Sequence, residues 1–475
     1  LRVAVLVAAL GAGPAAAQAQ AATVAGVNAH LTAVDSVELG RQLDLAQELG
    51  AKLVRVDVGW PSLQENGPDS HSAWYVAKID ALVAGAESRG IRPVFTFASS
   101  PCWASSAPET ERAGCTGAWW KRDVMRYGPT DPQDYADALA WLAVRYGDRV
   151  AAYEVWNEPN LSSFLKSSDP VREYTALVKA AYRTVKAAAP QATVLAGALQ
   201  GSDFDFAEQM FKAGLGRDFD GFSIHPYAND AAPDAVLEQY RRYSFVAGPP
   251  AVHETLVRNG AGDKKLWLTE AGWSTTPRRN GEPWQNGVDE SVQAEYLTRA
   301  FEIAASWDYV AAMLWYDLVD EGTDDLDTYD RTGLVRVDGS RRPAFAAFKS
   351  VAPAGTQPVA DVPIPQPIES AADVPVPQPG EPVSEPIADV ALAVEPAFSL
   401  TVRKKGRSLL VRGKAGTSTT VQIRLIGKGG KRARSSRRIV VRARANGSYS
   451  VRLRARGVRA VKVTATGRTL RRAVR

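Results

Sequence analysis

Cysteine is almost absent from this chain: Cys102 and Cys115 are the only two among 475 residues. Two cysteines exclude a disulfide-built scaffold. Four scattered histidines show no zinc spacing, so no metal centre is expected. Past the N-terminus there is no run of 18 apolar residues, which excludes a helical membrane span there. No glycine-rich phosphate fingerprint follows the first strand-like run, which argues against a dinucleotide-binding open sheet and against a cofactor of that kind. No cofactor is expected at all. The last absence is local: residues 396–475 contain 24 Lys or Arg and no Asp or Glu.

That last absence divides the chain electrostatically. The remainder carries 33 basic and 52 acidic residues, so a net charge of +5 hides two objects of opposite sign. Between them, residues 352–396 repeat Val-Pro-Ile-Pro-Gln-Pro and Val-Pro-Val-Pro-Gln-Pro and hold seven acids and no base from 353 onward, the composition of an extended linker. At the other end, Arg2, the apolar run Val3–Leu10 and Ala17-Gln18-Ala19 have the form of an export signal, read as residues 1–21. Export places Cys102 and Cys115 in an oxidising compartment. A bridge between them is then expected, worth about 3 kcal/mol on the chain-entropy account, with two free thiols as the alternative.

From residue 22 to 351, strand-like runs alternate with amphipathic stretches. The strands read Val24–Leu31, Leu53–Trp60, Arg92–Ser99, Val150–Pro159, Thr193–Gln200, Gly221–Tyr227, Lys265–Trp273 and Val310–Leu318. Helical stretches such as Asp131–Tyr146 and Pro170–Ala188 lie between, the first opening on an Asp cap and a Pro. Eight such units predict a (β/α)8 TIM barrel. After the linker, short alternating runs from 397 to 475 predict a small all-β sandwich, with Asn446-Gly447 as a hairpin turn.

In a barrel of this kind the chemistry lies at the carboxyl ends of the strands. Glu158, in Trp156-Asn157-Glu158-Pro159, falls at the end of the fourth strand. Glu270, in Thr269-Glu270-Ala271-Gly272-Trp273, falls at the end of the seventh. A carboxylic acid and a carboxylate facing one substrate are the equipment for breaking a glycosidic bond. His225 and Tyr227 share a face at the end of strand six, Arg55 lies inside strand two, and Trp315 is near the end of strand eight. Glu154 shares a face with Glu158 but lies deeper. It is expected to pair with a buried cation such as Arg55 and to take no part in chemistry.

These two motifs, so placed, resemble the clan A glycoside hydrolases over roughly residues 22–350, family 39 first and family 5 next. The resemblance implies a retaining glycosidase working by double displacement, with Glu158 as general acid/base and Glu270 as nucleophile. It implies that Asn157 meets the sugar 2-hydroxyl, that Tyr227 and Arg55 hold the nucleophile ionised, and that His225 and Trp315 line the sugar pocket. A transglycosylase would use the same residues. The rival class is a barrel without activity that binds carbohydrate and is anchored by its basic module.

All twelve tryptophans precede the linker. Trp103, Trp119, Trp120, Trp273 and Trp284 fall in or near loops that follow strands, where indole faces stack on sugars. Trp141 and Trp307 are expected to pack in the core. The seven acids between Asp317 and Asp330 lack a calcium-loop pattern and read as a solvated loop. The basic tail has no Trp and only Phe398 and Tyr449, so it predicts electrostatic anchoring to an anionic envelope polymer. Nucleic acid is not expected as its physiological partner. The expected location is outside the cell or on its wall.

Overall fold

A computed structural model describes residues 23–325 and 327–352, and the backbone of seven strands between 401 and 473. The export signal and all but the first residue of the linker lie outside the described residues. Two compact units separate, residues 1–366 and 367–475.

The first unit is a closed barrel of eight parallel strands: β1 (Val24–Asn28), β2 (Leu53–Gly59), β3 (Arg92–Ala98), β4 (Ala152–Val155), β5 (Val194–Gln200), β6 (Gly221–His225), β7 (Lys265–Ala271) and β8 (Val310–Trp315). Strand β8 pairs with β1 to close it. The strands are shorter than their hydrophobic runs, because residues just past each end stay buried in the loops above.

Both faces of each strand are covered, which is why the strands read as continuous apolar runs. In β2, Val54, Val56 and Val58 face the helices, while Leu53, Arg55 and Asp57 alternate toward the lumen. The helices form where capping and spacing dictate. Helix Pro170–Ala188 opens on Asp169, whose side chain accepts the amide of Arg172. It buries Tyr174, Leu177, Val178, Ala181 and Val185 at helical spacing. Truncating Leu177 to Ala would cost about 2–5 kcal/mol.

Two helical tyrosines reach through this layer to fix the end of β4. Tyr135 donates to Phe97 O at 2.6 Å and accepts the amide of Trp156 at 3.1 Å. Tyr174 donates to Val155 O at 2.8 Å and accepts the amide of Gly197 at 2.9 Å. At Gly197, φ is +110° and a Cβ would stand 2.2 Å from Ser223 O, so only glycine fits. The irregular pairing there turns Ala198 O toward the amide of Glu158, at 2.9 Å.

The second unit contains an antiparallel sheet of β9 (Thr401–Lys405), β10 (Ser408–Lys414) and β13 (Ser448–Arg454). A second sheet contains β11 (Thr420–Gly427), β12 (Ile439–Arg442), β14 (Val458–Ala465) and β15 (Arg468–Ala473). One expectation is corrected here. Among the described residues, the strands flanking Asn446-Gly447 lie in different sheets: β12 pairs with β11, and β13 with β10. A turn dipeptide records a local preference, and the pairing of whole strands overrides it.

Candidate active site

At the carboxyl end of the barrel, one guanidinium organises the lumen. Arg55, 3% exposed, donates from Nε to Glu154 Oε2 at 2.7 Å and from Nη1 to Glu270 Oε1 at 2.6 Å. Nη1 also meets Asn28 Oδ1 at 3.1 Å, and Nη2 donates to Asn157 Oδ1 at 2.7 Å. Its planar fork therefore touches β1, β4, β7 and the loop after β4 at once. The expected pairing of Glu154 with Arg55 is present, and Thr96 adds a second donor to the same carboxylate at 2.8 Å.

Glu270 has a donor on each oxygen, Arg55 on Oε1 and the hydroxyl of Tyr227 on Oε2 at 2.7 Å. Glu158 stands across from it, three residues past β4, with His225 Nδ1 2.9 Å from its Oε1. The same nitrogen lies 3.5 Å from Glu270 Oε2. One oxygen of Glu158, one of Glu270 and a nitrogen of His225 all lie within 4.8 Å of one another. The loop that delivers Glu158 is strained: Trp156 has φ of +64° and Glu158 of +41°. Left-handed backbone at non-glycine residues costs on the order of 1–3 kcal/mol each and persists only where the surroundings impose it. Here the buried Trp156 ring and the Tyr135 hydroxyl do so.

The three glutamates titrate differently. Burial pushes Glu158 upward, and the hydrogen bond from His225 opposes it without prevailing. Burial also raises Glu270, against the charge of Arg55 and the hydrogen bond from Tyr227. Burial pushes Glu154 upward too, yet the charge of Arg55, that of His225 and hydrogen bonds from Ser223 and Thr96 together outweigh it and hold the carboxyl below the ordinary range.

Of the residues expected from the sequence, Glu158, Glu270, Asn157, Arg55, His225 and Tyr227 come together. Trp315 does not join them. It is fully buried in the layer outside the barrel, stacked on Trp273 with ring centres 6.0 Å apart, and its Nε1 donates to Thr332 O. The next residue, Tyr316, packs edge-on against Tyr227 at 6.3 Å and against Tyr329 at 6.1 Å. Tyr316, Tyr329, Asn28 and Asp57 were not expected. The alternation from Arg55 to Asp57 and the polar end of β1 are the signals that mark the last two.

Cys102 and Cys115 form a disulfide, with Cα atoms 5.6 Å apart. The bridge backs a cavity of about 300 Å³ beyond the ends of β2 and β3, lined by Glu65, Asn66, Trp103, Trp119 and Trp120. Trp103 donates to Gln64 O at 2.7 Å and packs edge-on against Trp60, which packs on Tyr135. Trp120 and Trp284 are exposed, Trp119 and Trp273 buried. Trp141 and Trp307 pack against the core as expected. No helix among the described residues is long and apolar enough to cross a membrane.

Known proteins resemble this chain in sequence and fold. Residues 15–312 match the family model described as Cellulase (glycosyl hydrolase family 5). A β-xylosidase of Geobacillus stearothermophilus is 26% identical over 295 residues, 57% of this chain and 54% of that protein. The chain thus spans about half the length of the curated relative it matches. Among solved structures, a family 39 glycoside hydrolase from Bacteroides cellulosilyticus WH2 has a TM-score of 0.56 at 19% identity, over 91% of this chain and 81% of that one. A GH39 enzyme from Xanthomonas axonopodis pv. citri gives 0.52 at 17%, over 95% and 93%. A GH5_18 enzyme from Streptomyces cattleya gives 0.53 at 17%, over 73% and 83%. At such identities the structures show a shared barrel fold. The family match runs through both glutamates, and the chain belongs to glycosyl hydrolase family 5, one of the clan A barrels.

Proposed function

We propose that this protein is a retaining glycoside hydrolase acting on β-linked oligo- or polysaccharide outside the cell. The observation that carries the reading is the spacing of the two carboxyls, with oxygens of Glu158 and Glu270 within 4.8 Å. Retaining enzymes hold them about 5–5.5 Å apart, whereas inverting enzymes leave about 6.5–9.5 Å for a water. Glu270, with Arg55 and Tyr227 on its two oxygens, attacks the anomeric carbon, while Glu158 gives its proton to the departing oxygen. A water then attacks the glycosyl ester, Glu158 takes the water's proton, and Glu270 leaves as carboxylate. Burial favours the protonated state that Glu158 needs for the first step. Once Glu270 is esterified its charge is gone, and Glu158 ionises more readily for the second. Asn157, held by Arg55, meets the sugar 2-hydroxyl.

The substrate class is read from three supports. The curated relative carries the name β-xylosidase, and the GH5_18 structure holds Manb1-4GlcNAc. Trp103 and Trp120 beside the disulfide offer indole surface for further sugar units. Residues 1–21 direct export, 22–351 form the catalytic domain, 352–396 the linker, and 397–475 a basic all-β sandwich that holds the enzyme on anionic envelope polymer.

Glu270→Ala tests the chemistry. It should lower kcat by about 10⁴-fold or more. Azide should restore part of the turnover and yield a product of inverted anomeric configuration; unchanged hydrolysis would falsify the nucleophile role. The tail is tested by retaining residues 397–475 on cell-wall material across a salt gradient. Elution below molar salt is expected, and salt-independent retention sinks the anchoring idea.

A further inference from the structure

Beside the catalytic pair, β8, β1 and β2 are neighbours in the barrel wall, and the loops and strand ends above them bring together His30, Asp57, Asp317 and Glu321. His30 Nε2 lies 3.8 Å from Asp317 Oδ2 and 3.4 Å from Glu321 Oε1, and its Nδ1 lies 3.4 Å from Asp57 Oδ2. One donor atom from each of His30, Asp317 and Glu321 falls within 4.8 Å of the other two. We propose that His30, Asp317 and Glu321 form a binding site for a divalent ion of the zinc class, with Asp57 orienting the imidazole from behind.

Three features support the assignment. Zinc binds nitrogen and carboxylate oxygen at about 2.0–2.1 Å, which sets donors around a tetrahedral ion roughly 3.4 Å apart. The Nε2 to Glu321 distance of 3.4 Å is of that size, and Asp317 Oδ2 stands further off at 3.8 Å. Secondly, the far nitrogen of His30 faces a carboxylate, the arrangement that fixes the ring of a metal-bound histidine. The third is independent of the cluster's composition. Asp317 is 1% exposed, and its Oδ1 is buried with no hydrogen-bond partner. A buried carboxylate oxygen left so is costly unless a cation or a proton satisfies it.

The competitor for the position is a proton. Hydrogen bonds that the ring donates to Asp57 and then Glu321 raise His30 to about 11, so the ring is an imidazolium when no metal is bound. Tyr316 joins the cluster to the chemistry: its hydroxyl bonds to Glu321 and its ring packs on Tyr227, which holds Glu270. Sequence spacing hides the site because its donors come from two stretches of chain far apart in sequence.

Calorimetric titration of zinc into the untagged full chain tests the site. One equivalent should bind. His30→Ala and Glu321→Gln should each weaken binding at least tenfold, and Asp57→Asn by about 10–100-fold. Cobalt(II) should give the visible absorption of a low-coordinate site, lost in both ligand variants. Glu321 is partly exposed, so its variant carries the test if His30→Ala fails to fold. No saturable binding leaves the imidazolium as sole occupant and overturns the proposal. So does binding that survives both ligand variants and is lost in Glu158→Gln, which places the ion on the catalytic pair.

Discussion

The floor and the rim of the barrel lumen hold glutamates under opposite regimes. On the floor, Glu154 is fully buried and sits below its ordinary pKa. At the rim, Glu158 and Glu270 are slightly exposed and sit above theirs. Burial alone predicts the reverse order. What decides is the company each keeps: Glu154 has a permanent cation and hydroxyl donors, Glu270 shares that cation and a phenol but also faces the charges of Asp57 and Glu154, and Glu158 has an imidazole but faces Glu270. The floor is built for a fixed charge and the rim for one that changes.

The strongest way to break this comparison is at the rim. Glu158→Gln should lower kcat by about 10²–10⁴-fold on glycosides with poor leaving groups, and far less where the leaving group needs no proton. Equal losses on both substrates would refute the acid role. Next is the floor. Glu154→Gln leaves Arg55 short of a counter-charge and should cost about 3–5 kcal/mol in urea denaturation. The sign with pH follows from its depressed value. The stabilisation is present above the unfolded carboxyl pKa and is lost as pH falls through the lower folded value, so the variant should lose less stability than the parent on acidification. The smallest effect sharpens the difference between partners. His225→Ala removes what opposes burial at Glu158, so the alkaline limb of kcat/KM should move to higher pH. A shift downward would mean that His225 does not hold Glu158 in the working enzyme.

Much of this was legible in the sequence, and the reasons are specific. Eight apolar runs give the barrel because both faces of every strand are buried. Glu154 was separable from Glu158 because strand alternation puts one below the other. Trp315 was misplaced because a strand's last residue can face either layer, and the stack with Trp273 fixes it outward. Tyr135 and Tyr174 act from helices on a strand end far away in sequence, and periodicity reports only that they are buried. The cluster around His30 escaped for a similar reason, since barrel closure brings β8 next to β1.

The Cys102–Cys115 bridge has a consequence for anyone making the protein. It ties the β3 loop behind Trp103 and Trp120, well away from the two carboxyls in sequence. Material produced in a reducing bacterial cytoplasm would carry open thiols there while keeping Glu158 and Glu270 in place. On the proposed function and the proposed sugar-binding role of Trp103 and Trp120, such a preparation should pass an assay with a small chromogenic glycoside and underperform on long chains, so the choice of host would masquerade as a substrate preference.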